Sequence, residues 1–424
     1  MKKFQDNLYF ILGAVSGLYC LRIYNISLIF FPLIVIMMIN FIKFLKKGNI
    51  NINIMNYYYI CILISLIVGV RYDKLFYSNL KSFELIKVLV FISISLFFKL
   101  KKISIENFIL GVKLTIFFNL VWGTLEFSLW RINKFLLNDY IFGKILNIDT
   151  GGHGWVYLRS STNLGLCGFS WDPLHLGILS ALGILIYKNK YLKLYSFIIL
   201  LLCGSRAGLI GCVGGYILDY FFKNLRKINL KRLILNYCII IGIILGVGLF
   251  FKYKINNNYT GDNRRKAYYI SAVKSTLLKN KVDTFLFGGS PFYSGNILAK
   301  DNELAKESYL APIMYEINWK IESDWAHILT GRGWIGFFNY LIIFIISYFR
   351  IKDKIIKKSI LLYLIAGIGY YYESSLYINL ILIYVNQNYK FRRKKNERNN
   401  ISWRKWNKTL SSNKSDIKTD KSNI

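Results

Sequence analysis

Histidine is scarce in this chain: only His153, His175 and His327 occur, with no His-x-His or His-x-x-x-His spacing, which argues against a histidine-built zinc site. The six cysteines, Cys20, Cys61, Cys167, Cys203, Cys212 and Cys238, are scattered through or beside apolar stretches without paired metal spacing, so they read as small packing residues. No Asp-x-Asp pair points to a divalent ion, and the turn Gly288-Gly289-Ser290-Pro291 lacks the Gly-Lys-Ser/Thr ending of a nucleotide phosphate loop. The residues call for no metal and no cofactor. A cleavable signal is missing as well, because the first apolar run lacks a small-residue cleavage site and more apolar runs follow it. Acidic residues number 22 against 56 Lys and Arg, a formal net charge of +34. In a soluble protein that excess would suggest nucleic acid. Here it gathers in clusters between apolar runs and in the tail from Lys390, which points to topology signals and anionic lipid, with no nucleic-acid partner.

Hydrophobic residues make up 54% of the chain, in recurrent stretches of about 14 to 25. A backbone in lipid must satisfy its own hydrogen bonds, so the expected fold is all-α, a polytopic membrane protein with about twelve transmembrane helices. Spans are expected near 7 to 22, 24 to 42, 52 to 70, 82 to 98, 106 to 128, 173 to 187, 192 to 204, 207 to 222, 233 to 251, 327 to 349, 359 to 372 and 374 to 386. The clusters Lys43/Lys46/Lys47, Lys99/Lys101/Lys102, Lys188/Lys190/Lys193, Lys223 to Arg232, Arg350 to Lys358 and Lys390 onward then fall on one side, the cytoplasmic one. Both termini are expected there, in a multi-pass protein of the inner, cytoplasmic membrane. The organisation that follows is transmembrane helices over 1–130, an outer loop over 131–172, helices over 173–251, a large extracytoplasmic loop over 252–325 between spans nine and ten, helices over 326–386, and a basic tail over 387–424 whose Asn, Ser and Lys content suits disorder. So long an outer loop suits an enzyme that builds its site at the membrane surface.

Polar residues near the outer surface are the candidates for chemistry. Arg206, in Leu202-Cys203-Gly204-Ser205-Arg206-Ala207-Gly208, sits between two apolar half-runs, where a cation needs a partner. A phosphate suits it; a snorkelling arginine at a tight hairpin is the plainer reading. Arg264 and Arg265, beside Asp262, open the large loop, and Arg159 belongs to the other. Guanidinium groups converging on a pyrophosphate would exploit a bidentate geometry that lysine lacks, whereas solvated loop charge is the alternative. Aromatic residues such as Trp171, Tyr268, Tyr269, Phe292, Tyr293 and Trp325 crowd these loops as a sugar-stacking platform or an interfacial belt.

Three stretches, Gly168-Phe169-Ser170-Trp171-Asp172-Pro173-Leu174-His175-Leu176-Gly177, Gly204-Ser205-Arg206-Ala207, and the loop running from Arg264-Arg265 to Glu322-Ser323-Asp324-Trp325 and Gly331-Arg332-Gly333-Trp334-Ile335-Gly336, resemble the O-antigen ligase and Wzy-type polysaccharide polymerase superfamily. The resemblance covers residues 160 to 345. It implies that the outer arginines, with Arg332 in the closing segment, hold the pyrophosphate of an undecaprenyl-linked oligosaccharide, and that the closing segment supplies the base. Ligases of this kind carry His-Asn-x-x-Leu ahead of Gly-x-x-Gly; with Gly333-Trp334-Ile335-Gly336 on that glycine pair, Glu322-Ser323 stands in place of His-Asn and His327 falls too late. That departure is more like the polymerases. Glu322 becomes the expected base and His327 a lesser candidate, while Asp324 is a catalytic candidate or a helix cap; a helix-start carboxylate is the alternative reading of Glu322. The expected reaction moves a glycan from lipid pyrophosphate to a sugar hydroxyl on a second lipid-linked repeat unit, by single displacement with inversion; Asp172, Asp262 and Asp324 keep a retaining route open. The partners implied are the lipid-linked oligosaccharide, the bilayer and a chain-length regulator. A ligase acting on another acceptor and a lipid-linked oligosaccharide flippase are the alternatives, the latter disfavoured because ionisable residues gather at outer span ends.

Overall fold

Apolar runs become helices here, and capping residues set where they begin. The computed structural model describes residues 2–18, 22–23, 26–47, 50–71, 73–147, 158–160, 163–170, 172–224, 260–277, 282–300, 320–370, 372 and 375–388. The expected span 233–251, the stretches 252–259, 278–281 and 301–319 of the large loop, and the tail beyond 388 lie outside the described residues. The contacts below all lie within the unit formed by residues 1–387. Its helices are α1 (Lys2–Val15), α2 (Phe30–Lys47), α3 (Ile54–Val68), α4 (Asp73–Leu80), α5 (Phe83–Phe97), α6 (Lys102–Asn133), α7 (Pro173–Ile186), α8 (Lys190–Cys203), α9 (Arg206–Asn224), α10 (Thr260–Leu277), α11 (Val282–Phe287), α12 (Gly295–Lys300), α13 (Asp324–Arg350), α14 (Lys354–Gly369) and α15 (Leu376–Asn388). Two short antiparallel ribbons, β1 (Arg22–Ile23) with β2 (Ile26–Ser27) and β3 (Leu158–Ser160) with β4 (Asn163–Leu164), interrupt them. Asn53, Ser82, Asp172, Asn189, Ser323 and Asp353 cap α3, α5, α7, α8, α13 and α14 by accepting from first-turn N–H groups.

Among the described residues three segments, Ile54–Arg71, Lys102–Asn133 and Asp324–Arg350, are long and apolar enough to cross a membrane. The surface agrees with that. Phe31, Val35, Met38, Phe41, Ile42 and Leu45 form an exposed apolar stripe along α2, and Phe338, Ile342, Ile345 and Phe349 form another along α13. Buried polar residues such as Ser65, Asn119, Asn379 and Asn386 lie on the inside. This apolar-out, polar-in arrangement suits lipid and is unfavourable in water.

Small residues set the close crossings. A Cβ built on Gly13 of α1 would stand 2.1 Å from the Phe108 carbonyl of α6, and one on Gly111 of α6 would stand 2.1 Å from the Phe10 carbonyl. α9 is wedged between α7 and α14 in the same way, through Gly208 against Gly177 and Gly211 against Leu362 and Ala366. The first two expected spans differ from the structure: α1 stops at Val15, the β1–β2 ribbon follows, and α2 starts at Phe30. Hydropathy carried the runs through Arg22 and Ile26, whereas those residues lie in the antiparallel ribbon.

Helix ends sort into two poles. At one, Tyr348 donates to Asp219 (3.0 Å), Arg350 donates to Asn386 (2.6 Å), and Lys358 stands over the Tyr216 ring at 3.9 Å. Asp219 also takes Lys223 as an ion partner. The basic clusters at the α7–α8 and α13–α14 junctions belong to this pole. The N-termini of α7, α9 and α13 and the C-terminus of α14 form the other.

Candidate functional site

The site pole is assembled by backbone approach. A Cβ on Gly177 of α7 would lie 2.0 Å from the Ser205 Cβ, which brings the start of α9 against α7. A Cβ on Gly369, at the end of α14, would lie 3.1 Å from the Ala207 Cβ. The Asp324 N–H donates to the Tyr370 carbonyl at 3.2 Å, joining α13 to the same place. Three helix N-termini therefore meet at one pole, each carrying partial positive charge and first-turn N–H groups. Ser205 accepts from the Gly208 N–H (3.2 Å) to open α9, and Arg206, half-buried, is its first residue. Such a meeting of helix starts with a guanidinium suits a polyanion.

Side chains on this pole are cross-linked through Asp172. Its Oδ1 accepts from the Leu174 N–H (2.7 Å) as the α7 cap, and its Oδ2 accepts from the Tyr370 hydroxyl (2.5 Å). His175 Nδ1 stands 3.8 Å from Oδ2, and its ring meets Tyr370 and Tyr372 edge-on at 5.5 and 6.1 Å. Burial acts to raise the Asp172 carboxyl, but His175, the Tyr370 hydroxyl and the Leu174 N–H together hold it below the usual carboxylate range. On the far side, Tyr269 of α10 shares a hydrogen bond of 2.8 Å with the cap Ser323 and donates to the Ile368 carbonyl.

The closing segment splits into three roles. Glu322 is half-buried immediately before the cap, and among the described residues its carboxylate has neither hydrogen bond nor ion pair. Asp324 is buried; its Oδ1 accepts from the Tyr372 N–H (2.8 Å) and its Oδ2 from Tyr340 (3.5 Å), so it ties Tyr372 to α13. The cap is Ser323, not Asp324. His327 is fully buried and shares a 2.5 Å hydrogen bond with Ser294.

Arg332 also faces inward, donating to the Tyr58 hydroxyl (2.6 Å) and the Pro291 carbonyl (3.2 Å). Around it the buried turn Gly288–Ser294 is seated in a kink of α13. Gly289 and Ser290 N–H donate to the Gly331 carbonyl at 3.0 and 3.1 Å, and Gly333 takes φ 63° with ψ −171°. Gly331 and Gly333, within the expected span 327 to 349, thus admit another segment's backbone into the helix.

Of the expected site residues, Arg206, Glu322 and Asp324 are brought to the pole, whereas His327 and Arg332 belong to the interior cluster around Ser294 and Pro291. Arg264 and Arg265 lie in α10, Arg265 one turn before Tyr269, and Arg159 lies on β3. Tyr370 and Tyr372 were not singled out by the sequence. Their only signal was a run of aromatic residues at a predicted outer span end. No family model matches this chain, and no curated protein matches it.

Proposed function

We propose that this protein is a membrane polysaccharide polymerase, with about twelve spans and cytoplasmic termini, working on the outer face of the cytoplasmic membrane. The substrate is a glycan on undecaprenyl pyrophosphate and the acceptor a sugar hydroxyl of a second lipid-linked repeat unit. The observation that supports this most is the meeting of three helix N-termini, one of them opened by Arg206 and another preceded by the half-buried Glu322, whose carboxylate has no partner among the described residues. In the proposed step the acceptor oxygen attacks the anomeric carbon while its proton passes to Glu322. The bond from that carbon to the phosphate oxygen breaks, and its electron pair leaves with the pyrophosphate, whose charge is met by Arg206 and the helix starts. Arg264 and Arg265, in the first half of α10, are the further arginines proposed to meet that charge. Asp324 and His327 hold the scaffold and take no proton.

The test is a gel of surface polysaccharide from cells lacking the protein, complemented with wild type or Glu322→Gln. A single-repeat band replaces the ladder, wild type restores the ladder and Glu322→Gln does not. Accumulated undecaprenyl-linked polymer would indicate a ligase, and repeats trapped on the cytoplasmic face a flippase.

A further inference from the structure

One buried carboxylate takes no part in that step. Glu126 lies within α6 and is 3% exposed. Its Oε2 accepts the N–H groups of Cys167 (3.0 Å) and Gly168 (3.1 Å), and its Oε1 accepts from Asn138 Nδ2 (3.3 Å). Asn138 in turn donates to the Gly168 carbonyl (3.1 Å) and accepts from Trp122 Nε1 (2.7 Å). Two turns earlier on the same face of α6, Asn119 Oδ1 accepts from the Phe169 N–H (2.9 Å). Gly168 has φ +60°, and a Cβ there would stand 2.8 Å from Asn119 Oδ1, so the turn is fitted to this seat. None of these partners is a cation. A carboxylate in a membrane-length helix is costly, and here its acceptor capacity goes to backbone amides of a turn that ends two residues before Asp172.

We infer that Glu126 is a positioning residue: by fixing the turn from Cys167 to Ser170 on α6, it sets where Asp172 and the start of α7 stand at the site pole. The structural claim is independent of the polymerase reading; its consequence for polymer rests on that reading.

The experiment uses the full chain in detergent with Cys20, Cys61, Cys203 and Cys238 changed to serine, so that Cys167 and Cys212 remain. Maleimide labelling of Cys167 reports release of the turn, and Cys212, buried in α9, reports general loosening. Glu126→Ala strands two buried N–H groups and should speed Cys167 labelling by about tenfold or more, with Cys212 unchanged. Glu126→Gln keeps one oxygen for those N–H groups but turns its amide hydrogens toward those of Asn138, and should give a smaller rise; it carries the test if the alanine variant does not fold. An unchanged Cys167 rate in the variants that fold, or equal acceleration of both cysteines, overturns the inference. In cells, the polymer ladder should shrink in the same order, wild type, Gln, Ala, at equal protein level. A full ladder from a variant with Cys167 released overturns the positioning role, whereas a ladder that does not depend on wild type overturns the polymerase reading alone.

Discussion

Replacing Gly333 with alanine tests the seat in α13 most directly. At φ 63° and ψ −171° the residue lies in a region open essentially to glycine, where any other side chain costs about 1–3 kcal/mol. The added methyl would also stand 2.5 Å from the Leu286 carbonyl carbon and oxygen and 2.6 Å from the Phe287 nitrogen. All three are backbone atoms and cannot rotate away, so overpacking adds about 1–3 kcal/mol. The sum is about 2–6 kcal/mol, which in a chain of 424 residues should lower the Tm of the detergent-solubilised protein by about 2–7 °C. The control is Gly123→Ala in α6, where the new Cβ would meet only Leu176 Cδ2 at 3.4 Å. There the helix gains an alanine in place of glycine, so stability should hold or rise by about 0.5–1 kcal/mol. Thermal unfolding followed by tryptophan fluorescence separates the two, with Trp334 adjacent to the kink as a local reporter. Equal melting of Gly333→Ala and Gly123→Ala would refute the claim that the 288–294 turn is locked into that kink.

Arg206→Lys keeps charge but not bidentate contact, so polymer should fall sharply at constant protein level; unchanged polymer would reduce Arg206 to a topology marker. Asp324→Asn retains an oxygen for the Tyr372 N–H and should keep both polymer and stability, whereas Asp324→Ala strands that buried N–H at about 1–3 kcal/mol; loss of polymer in a stable asparagine variant would return Asp324 to proton transfer. Asp172 titrates in the folded protein below its unfolded value near 3.9, so its contribution to stability is full above that pH and lost as pH falls through the folded value. Tyr370→Phe removes one hydrogen bond that lowers this pKa, so the variant should be less stable at neutral pH and converge with wild type below about pH 4; equal unfolding curves at neutral pH would remove the Tyr370–Asp172 link.

Helical segments were legible wherever an apolar run met a capping residue. The start of α7 coincides with the expected span from 173, whereas α13 begins at Asp324, ahead of the expected 327, and its cap is Ser323 where the sequence offered Asp324. Arg206 was legible as a cation between two apolar half-runs, and Glu322 was singled out only through the resemblance. What escaped were pairings across long separations. Tyr370 meets Asp172 across 198 positions, and nothing local in the sequence marks that contact. Glu126 was not singled out: it lies within the expected span 106 to 128, and its three donors come from Cys167, Gly168 and Asn138. The kink at Gly333 was invisible to hydropathy, which averages over a window and does not register a single reversed φ.

The last helix bears on the order in which this protein matures. The Gln387 side chain accepts from the Leu100 N–H (3.0 Å) and donates to the carbonyls of Ile94 (3.1 Å), Ser95 (2.8 Å) and Phe98 (2.7 Å), closing the C-terminal end of α5. Higher in the same helix, Asn379 accepts from Tyr59, 320 positions earlier (2.9 Å). The N-terminal helices therefore leave the ribosome with backbone carbonyls and a tyrosine whose partners have not yet been synthesised. Those pairings can form only once α15 has been made, so the junctions of α15 with α3 and α5 close after α3 and α5 themselves.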